Sequence, residues 1–282
     1  MGILEKMRVI SHTPWELHEG ILVKREDLSC PPPGPSFSKV RGLTSWLKGL
    51  RAQLIPPTCV GVLDTRHSKA GWGVSYLAPD YGFPVRVYYP VFKDDKPGDL
   101  RESQAHAQEL GATLVPLRGN LMSAVLWNIA KKDCVEHGGA MAPNGLKFTA
   151  SVEATAQELT ETWPEDLIGP VNVVVSASSA TLASGVALGL SRLNRPQTRL
   201  IVHLGYSRSP EQVLRYMTSK GVPQDFISSS LDLIDEGYAY ADRVDTPVPF
   251  PCNPYYDRKA WKWIRENRDS LVGEIVLWNI GE

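Results

Sequence analysis

The chain has 282 residues, 43% hydrophobic and 22% charged, enough to bury a sizeable core in one large domain or two modest ones. Thirty Lys and Arg against 31 Asp and Glu leave a formal charge of −1, so no global field selects nucleic acid or an anionic membrane, although a local basic patch stays compatible. No apolar run reaches the roughly 18 residues of a membrane span, Met1–His12 is charged too early for a signal peptide, and Lys6 stands where myristoylation of Gly2 needs Ser or Thr.

Short Val- and Ile-rich runs alternate with segments of helical spacing. The pattern predicts a strand at Gly20–Glu26, a helix over 39–53, a strand at Cys59–Asp64, a helix over 70–81 and a strand at Val85–Val91. It continues with a helix over 98–111, a strand at Thr113–Leu117, helices over 120–137 and 150–162, and a strand at Asn172–Ala177. A helix over 180–194, a strand at Arg199–Gly205, helices over 209–220 and 256–268, and a strand at Glu274–Ile280 complete the series. Strand then helix, repeated, predicts an α/β fold with mostly parallel sheets covered on both faces, and the length supports two such lobes. Asn172–Ala177 and Glu274–Ile280 are nearly continuous in apolar residues, as strands buried on both sides require. Gly49–Cys59 and Pro247–Pro254 read as connectors, and no internal repeat appears. Cys30, Cys59, Cys134 and Cys252 are scattered without metal spacing, which predicts reduced thiols in a cytoplasmic protein.

In such folds ligands sit beyond the carboxyl ends of strands, near helix N-termini. Three places qualify. Ser176–Gly185, "SASSATLASG", packs small and hydroxyl residues at a strand-to-helix turn, where backbone N–H groups with Ser178, Ser179 and Thr181 suit a phosphate; an ordinary N-cap on a small-residue helix reads equally well. It is neither GxGxxG nor a P-loop, which disfavours a nucleotide loop. Asp64–Gly73, "DTRHSKAGWG", gathers Asp64, Arg66, His67, Ser68 and Lys69; one His and one Asp make a poor metal site, and a solvated polar cap is the plain alternative. Lys39 opens the helix that follows "PPPGPSFS", where the macrodipole opposes a cation. A snorkelling surface lysine is the ordinary explanation, and an amine that forms an imine with a carbonyl cofactor is the other.

These pieces, in this order, resemble the fold type II pyridoxal-phosphate (PLP) enzymes, the tryptophan synthase β-like superfamily, and within it most closely 1-aminocyclopropane-1-carboxylate deaminase and D-cysteine desulfhydrase. Thr13–Leu28, "TPWELHEGILVKREDL", is similar to the opening TPL…KREDL, and Pro35–Leu43 blends SFKxRG with GNKxRKL. Arg66–Gly82 resembles QSNHxRxxAxxAxxxG, Glu109–Leu117 fits the GA-x-V strand, and Ala142–Leu159 the run into the large domain. "SASSATLASG" falls on the GSGGT(L)AG phosphate loop, "DEGYAYAD" (Asp235–Asp242) on GEGYG, "NPYYDRKAWKWI" (Asn253–Ile264) on DPVYxGKAMxGL, and Ile275–Glu282 on the terminal strand.

The resemblance implies a two-lobed α/β enzyme, with a large PLP-binding domain from 1–40 and 141–282, a small domain from 41–140, and a homodimer. It makes Lys39 the Schiff-base lysine and the natural base at the substrate Cα, and it makes Tyr238 and Tyr256 pocket tyrosines that position or protonate the substrate. Ala177, Ser178, Ser179, Ala180 and Thr181 become the phosphate loop. Asp257 becomes the partner of the ring nitrogen, because Ile280 on the last strand neither donates nor accepts. His67, Ser68 and Lys69 fall in the loop that holds the substrate carboxylate, with Lys69 where an asparagine usually meets the cofactor's 3′-oxygen. Lys69 then pairs with that oxygen, binds a substrate anion or serves as an alternate base. The phosphate loop has lost glycines at Ala177, Ser179 and Ala180, and the loop at 66–69 is more basic than the family's.

Three functions remain open at this level. The first is a PLP-dependent lyase or deaminase acting at Cα or Cβ of a small amino acid or amine. The second is a PLP-dependent decarboxylase or lyase tailoring an amino-acid group on a larger carrier, such as a modified nucleotide or DNA in a phage-type hypermodification pathway. The third is a non-catalytic cofactor-binding relative.

Overall fold

The computed structural model describes residues 9–281 apart from 94 and 97; the signal-peptide and myristoylation readings at Gly2 and Lys6 lie outside the described residues. The chain divides into two units, each α/β with a largely parallel sheet and flanking helices, as the alternating pattern predicts. One unit comprises the chain up to Pro31, Ser36–Gly42 and the chain from Thr149 onward; the other comprises Pro32–Pro35 and Leu43–Phe148.

The first unit holds a six-stranded sheet. In chain order its strands are β1 (Trp15–His18), β2 (Ile21–Arg25), β7 (Val171–Ala177), β8 (Thr198–Leu204), β9 (Leu231–Ile234) and β10 (Glu274–Asn279). They lie in the order β1-β2-β10-β7-β8-β9, and only the β1–β2 pair is antiparallel. Every residue of β7 is buried, and the register Val173↔Val276 and Val175↔Val202 aligns the valine run with β10 and β8. Strand period two then divides the apolar side chains between two cores. Val173, Val175, Ala177, Val202 and Trp278 pack with Val186, Ala187 and Leu190 of helix α6 (Thr181–Leu193). Val174, Ile201, Ile275 and Leu277 pack on the other face with Trp261 and Ile264 of α9 (Asp257–Asn267). Helices α5 (Thr149–Thr162), α7 (Pro210–Ser219) and α8 (Gln224–Ser230) complete the unit.

The second unit holds a wholly parallel sheet in the order β5-β4-β3-β6. Its strands are β3 (Val60–Leu63), β4 (Val85–Val91), β5 (Thr113–Arg118) and β6 (Ala140–Met141), and its helices are α2 (Ala70–Leu77), α3 (Glu102–Glu109) and α4 (Ser123–Glu136). Leu63 and Tyr88 pack there against Leu126, Ala130 and Cys134 of α4. All four cysteines are buried. Among the described residues no helix is long and apolar enough to cross a membrane.

A buried ion cluster ties the opening strands of the first unit to α5 and to the start of α1 (Val40–Arg51). Lys24 on β2 donates to Glu158 Oε1 (2.5 Å), to the Thr13 carbonyl (2.7 Å) and to Thr162 Oγ1 (2.8 Å), with its ammonium 5.1 Å from the Trp15 ring centre. Glu26 is fully buried, takes the Thr13 hydroxyl at 2.5 Å and pairs with the Arg41 guanidinium. Burial pushes the Glu158 carboxyl up, but Lys24 and Arg41 outweigh it and hold it below its ordinary value. Gly42 follows Arg41 because a Cβ there would lie 2.5 Å from Ser151 N on α5.

Two positions carry measurable energies. Glu158→Ala removes the counter-ion of the buried Lys24 ammonium and is expected to cost about 3–5 kcal/mol in urea unfolding at neutral pH. Ala180, at the N-terminus of α6, adopts a left-handed conformation (φ 60°, ψ 6°) that glycine accepts freely. Ala180→Gly is accordingly expected to stabilise the protein by about 0.5–1 kcal/mol in the same experiment.

Candidate active site

Five parallel strands of the six-stranded sheet, β2, β10, β7, β8 and β9, deliver their carboxyl ends to one edge, and the segments beyond them hold most of the residues the sequence singles out. Lys39 is the half-buried residue immediately before α1, which begins one position later than the expected helix over 39–53. Two residues earlier, Phe37 forms an antiparallel bridge with Gly281, just beyond β10. The turn that carries Lys39 is therefore pinned to the end of the central strand, while the Arg41–Glu26 pair holds the other side of it. Lys39 belongs to the same unit as the phosphate-loop candidates and Asp257.

Beyond β7, Ser178, Ser179 and Ala180 turn into the 13-residue helix α6. Ser179 Oγ lies 3.0 Å from Thr181 Oγ1, which lies 2.9 Å from the Tyr216 hydroxyl. Ala177 is the last residue of β7, and its carbonyl accepts from Gly205 N (3.0 Å). Its backbone is committed to the sheet edge, so the free N–H groups of the loop come from the residues after it. The lost glycine that costs conformational energy is the one at Ala180.

Asp257 opens α9 and is fully buried, and its Oδ1 has no hydrogen-bond partner. Burial raises the carboxyl well above the ordinary carboxylate range, with the backbone N–H groups of Ile280 and Gly281 pulling it back and the Asp27 charge adding to the rise. A helix N-terminus favours an anion, and here burial outweighs it. Tyr256 precedes Asp257; its hydroxyl is held protonated by burial and by Tyr240, with Ser178 opposing. Gly205, after β8, makes room for it, because a Cβ would lie 2.7 Å from Tyr256 Cδ1. Tyr238 is half-buried, and burial and the Glu236 charge raise its hydroxyl.

The motif reading missed Lys259, two positions past Asp257 in the same "YYDRK" run. It is fully buried, donates to the Gly205 carbonyl at 2.5 Å and stands 4.5 Å from the Tyr238 ring centre. Burial lowers its pKa, against the pull of Asp242 and Glu236. Tyr206 and Arg208, in the turn after β8, were also unmarked by any motif.

His67, Ser68 and Lys69 lie in the other unit, in the turn between β3 and α2. Ser68 Oγ accepts from Ala70 N (3.0 Å), and its hydroxyl hydrogen-bonds the buried Asp64 carboxyl. His67 is half-buried. Lys69 stands 5.3 Å from the Trp72 ring centre and 3.9 Å from the Glu102 carboxylate. Asp64, buried in the same turn, takes Gly71 N at 3.0 Å, and burial raises its pKa to about 6.

The donor set of the first unit suits a phosphorylated pyridine aldehyde. Hydroxyls and N–H groups at the start of α6 match the phosphate, Lys39 supplies an amine, and the unpartnered Asp257 Oδ1 lacks the donor that a protonated ring nitrogen would bring.

Comparison with known proteins agrees. The chain is 42% identical to the glycyl-dTMP PLP-dependent decarboxylase of Pseudomonas phage M6, over 97% of this chain and 100% of the phage protein. Among solved structures it superposes on an ACC deaminase homologue with a TM-score of 0.75 at 17% identity, covering 97% of this chain and 90% of that one. The diaminopropionate ammonia lyase of Escherichia coli gives 0.66 at 13% identity, covering 99% and 85%. The family described as pyridoxal-phosphate dependent enzyme matches residues 9–238, and with most of the chain inside that match, the protein belongs to this family and has its fold type II architecture.

Proposed function

We propose that the protein is a PLP-dependent decarboxylase that removes the carboxyl group of an amino acid carried on a pyrimidine nucleotide, leaving a nucleotide-linked amine. The observation that carries this reading is the 42% identity, end to end, with a phage enzyme named for that reaction on glycyl-dTMP. It is the second of the three functions the sequence left open. Amino-acid decarboxylation is itself a carbon–carbon lyase reaction, so the lyase reading is narrowed, while the deaminase reading becomes the alternative for assay.

Bound PLP supplies a ring that accepts the electron pair left when a bond to the substrate Cα breaks. The rest falls to side chains of this chain. Lys39 would hold the cofactor's aldehyde carbon, and its amine would carry a proton to the substrate Cα. Ser178, Ser179 and Thr181, with the N–H groups of the same turn, hold the phosphate. Asp257 is the ring-nitrogen partner: a buried carboxylate beside that nitrogen keeps it protonated and electron-withdrawing. Tyr238 and Tyr256 have hydroxyls that burial keeps protonated, so they act as donors that orient the substrate.

Ser68 and His67 are assigned to the leaving carboxylate. Decarboxylation discharges that group, so a strong cation held against it would stabilise the ground state more than the transition state. The neutral Ser68 hydroxyl, shared with Asp64, orients the carboxylate at lower cost to the barrier. Lys69, already near Glu102, is assigned to the cofactor oxygen.

Purified protein supplied with PLP is expected to show the visible absorbance of lysine-bound cofactor, lost in Lys39→Ala. Glycyl-dTMP should yield CO2 and a nucleotide-linked amine detected by mass, without ammonia. Ammonia and a keto acid from D- or L-serine, D-cysteine or aminocyclopropane carboxylate, with no CO2 from the nucleotide, would replace this reading by the deaminase one.

Asp257→Asn should keep the cofactor and lower turnover about 100-fold. The same variant tests the buried acid. The folded protein without cofactor retains a proton that the unfolded chain releases, so its stability falls as pH rises from the ordinary carboxylate value through the raised one. Urea unfolding of cofactor-free protein across that range should lose this slope in Asp257→Asn.

A further inference from the structure

The turn after β8 and the long connection from Asp235 to Tyr256 bring to the Ser178 turn a set of aromatic groups to which the chemistry above gives no task. Tyr206 and Tyr240 meet edge to face, with ring centres 5.2 Å apart at 87°. Arg208 stands 5.7 Å from the Tyr206 ring centre and donates to the Ser178 carbonyl. Tyr240 and Ser178 both act on the Tyr256 hydroxyl, so the group surrounds the end of β7. Tyr240 is 38% exposed.

The arrangement is held by its backbone. Ser207 N donates to the Tyr238 carbonyl at 2.8 Å, Ser207 Oγ to Asp235 Oδ1 at 2.7 Å, and Ala239 N to Asp242 Oδ2 at 2.7 Å. A connection of this length without regular structure is uncommon inside a compact unit unless it binds something.

We propose that Tyr206 and Tyr240 form an aromatic subsite for the pyrimidine ring of a nucleotide-linked amino acid, with Arg208 as the positioning residue that fixes Tyr206 beside the cofactor turn. This rests on the nucleotide-linked reading of the same site. The chemistry is that of base recognition by stacking. A partly exposed tyrosine face offers nothing to an α-amino or α-carboxyl group, but it takes a flat heteroaromatic ring and releases water from both surfaces. The edge-to-face contact with Tyr206 braces the partly exposed Tyr240 ring. Selectivity for the carrier thus comes from groups distinct from those that handle the amino acid.

The test is calorimetric titration of dTMP into the PLP-loaded protein, with deoxyribose 5-phosphate as the probe that lacks a base. Wild-type protein should bind dTMP. Tyr240→Ala should weaken it about 10-fold or more, while Tyr240→Phe, which keeps the ring and drops the hydroxyl, should stay near wild type. Deoxyribose 5-phosphate should be indifferent to both changes, and the cofactor absorbance verifies that each variant is folded and loaded. Equal dTMP affinity in wild type and Tyr240→Ala, or no dTMP binding in the wild type, overturns the subsite. The two readings fail separately. Tyr240-dependent dTMP binding without CO2 release from glycyl-dTMP removes the decarboxylase and leaves the subsite, whereas CO2 release with Tyr240-independent binding does the reverse.

Discussion

Burying two acids and two bases side by side is costly unless every charge is met, and here Lys24, Glu26, Arg41 and Glu158 meet one another with Thr13 and Thr162 filling the remaining bonds. The arrangement joins β2, α5 and the first turn of α1, three pieces far apart in the chain. Arg41 is two residues from Lys39, so the pairing that satisfies Glu26 also holds the turn that carries Lys39. The Phe37–Gly281 bridge supplies the opposing hold. Once that turn is fixed to the end of β10, the parallel pairing of β10 with β7 brings the phosphate-loop turn to the same edge.

Much of this was legible in the sequence, for reasons that differ by element. β7 and β10 announce themselves because burial on both faces demands unbroken apolar residues. The motif that begins at Lys24 marked the family, although nothing in "KRED" reveals that Lys24 and Glu26 face partners 134 and 15 residues away. β1, β6, β9 and α8 escaped because four or fewer strand residues, or a seven-residue helix rich in serine, give too little periodicity to stand above a loop. Lys39 proved to sit just ahead of its helix, which softens the conflict with the macrodipole.

The candidate site was legible where a motif carried it and hidden where only the fold did. Asp257 was picked for its place beside Tyr256, but its defining property, a buried oxygen without a donor, belongs to the packed structure. The phosphate loop showed lost glycines; the backbone tells which of them matters, since only Ala180 among its residues takes a positive φ. Tyr206 and Arg208 had no motif at all, and Tyr240 lay in the "DEGYAYAD" stretch without a role. They gather because adjacent parallel strands end together and a long connection folds back over them.

Lys259 bears on a question of chemical selectivity. An aldehyde reacts with any accessible amine that can present a lone pair, and this unit holds a second lysine at the same sheet edge as Lys39. The Lys259 amine is fully buried, points a proton at the Gly205 carbonyl and lies against the face of Tyr238. Its lowered basicity would make it an able nucleophile in the open, and its enclosure withholds it. In the proposed function, access rather than intrinsic reactivity directs covalent attachment to Lys39, and the buried Lys259 amine serves as a strut for the tyrosine-bearing connection.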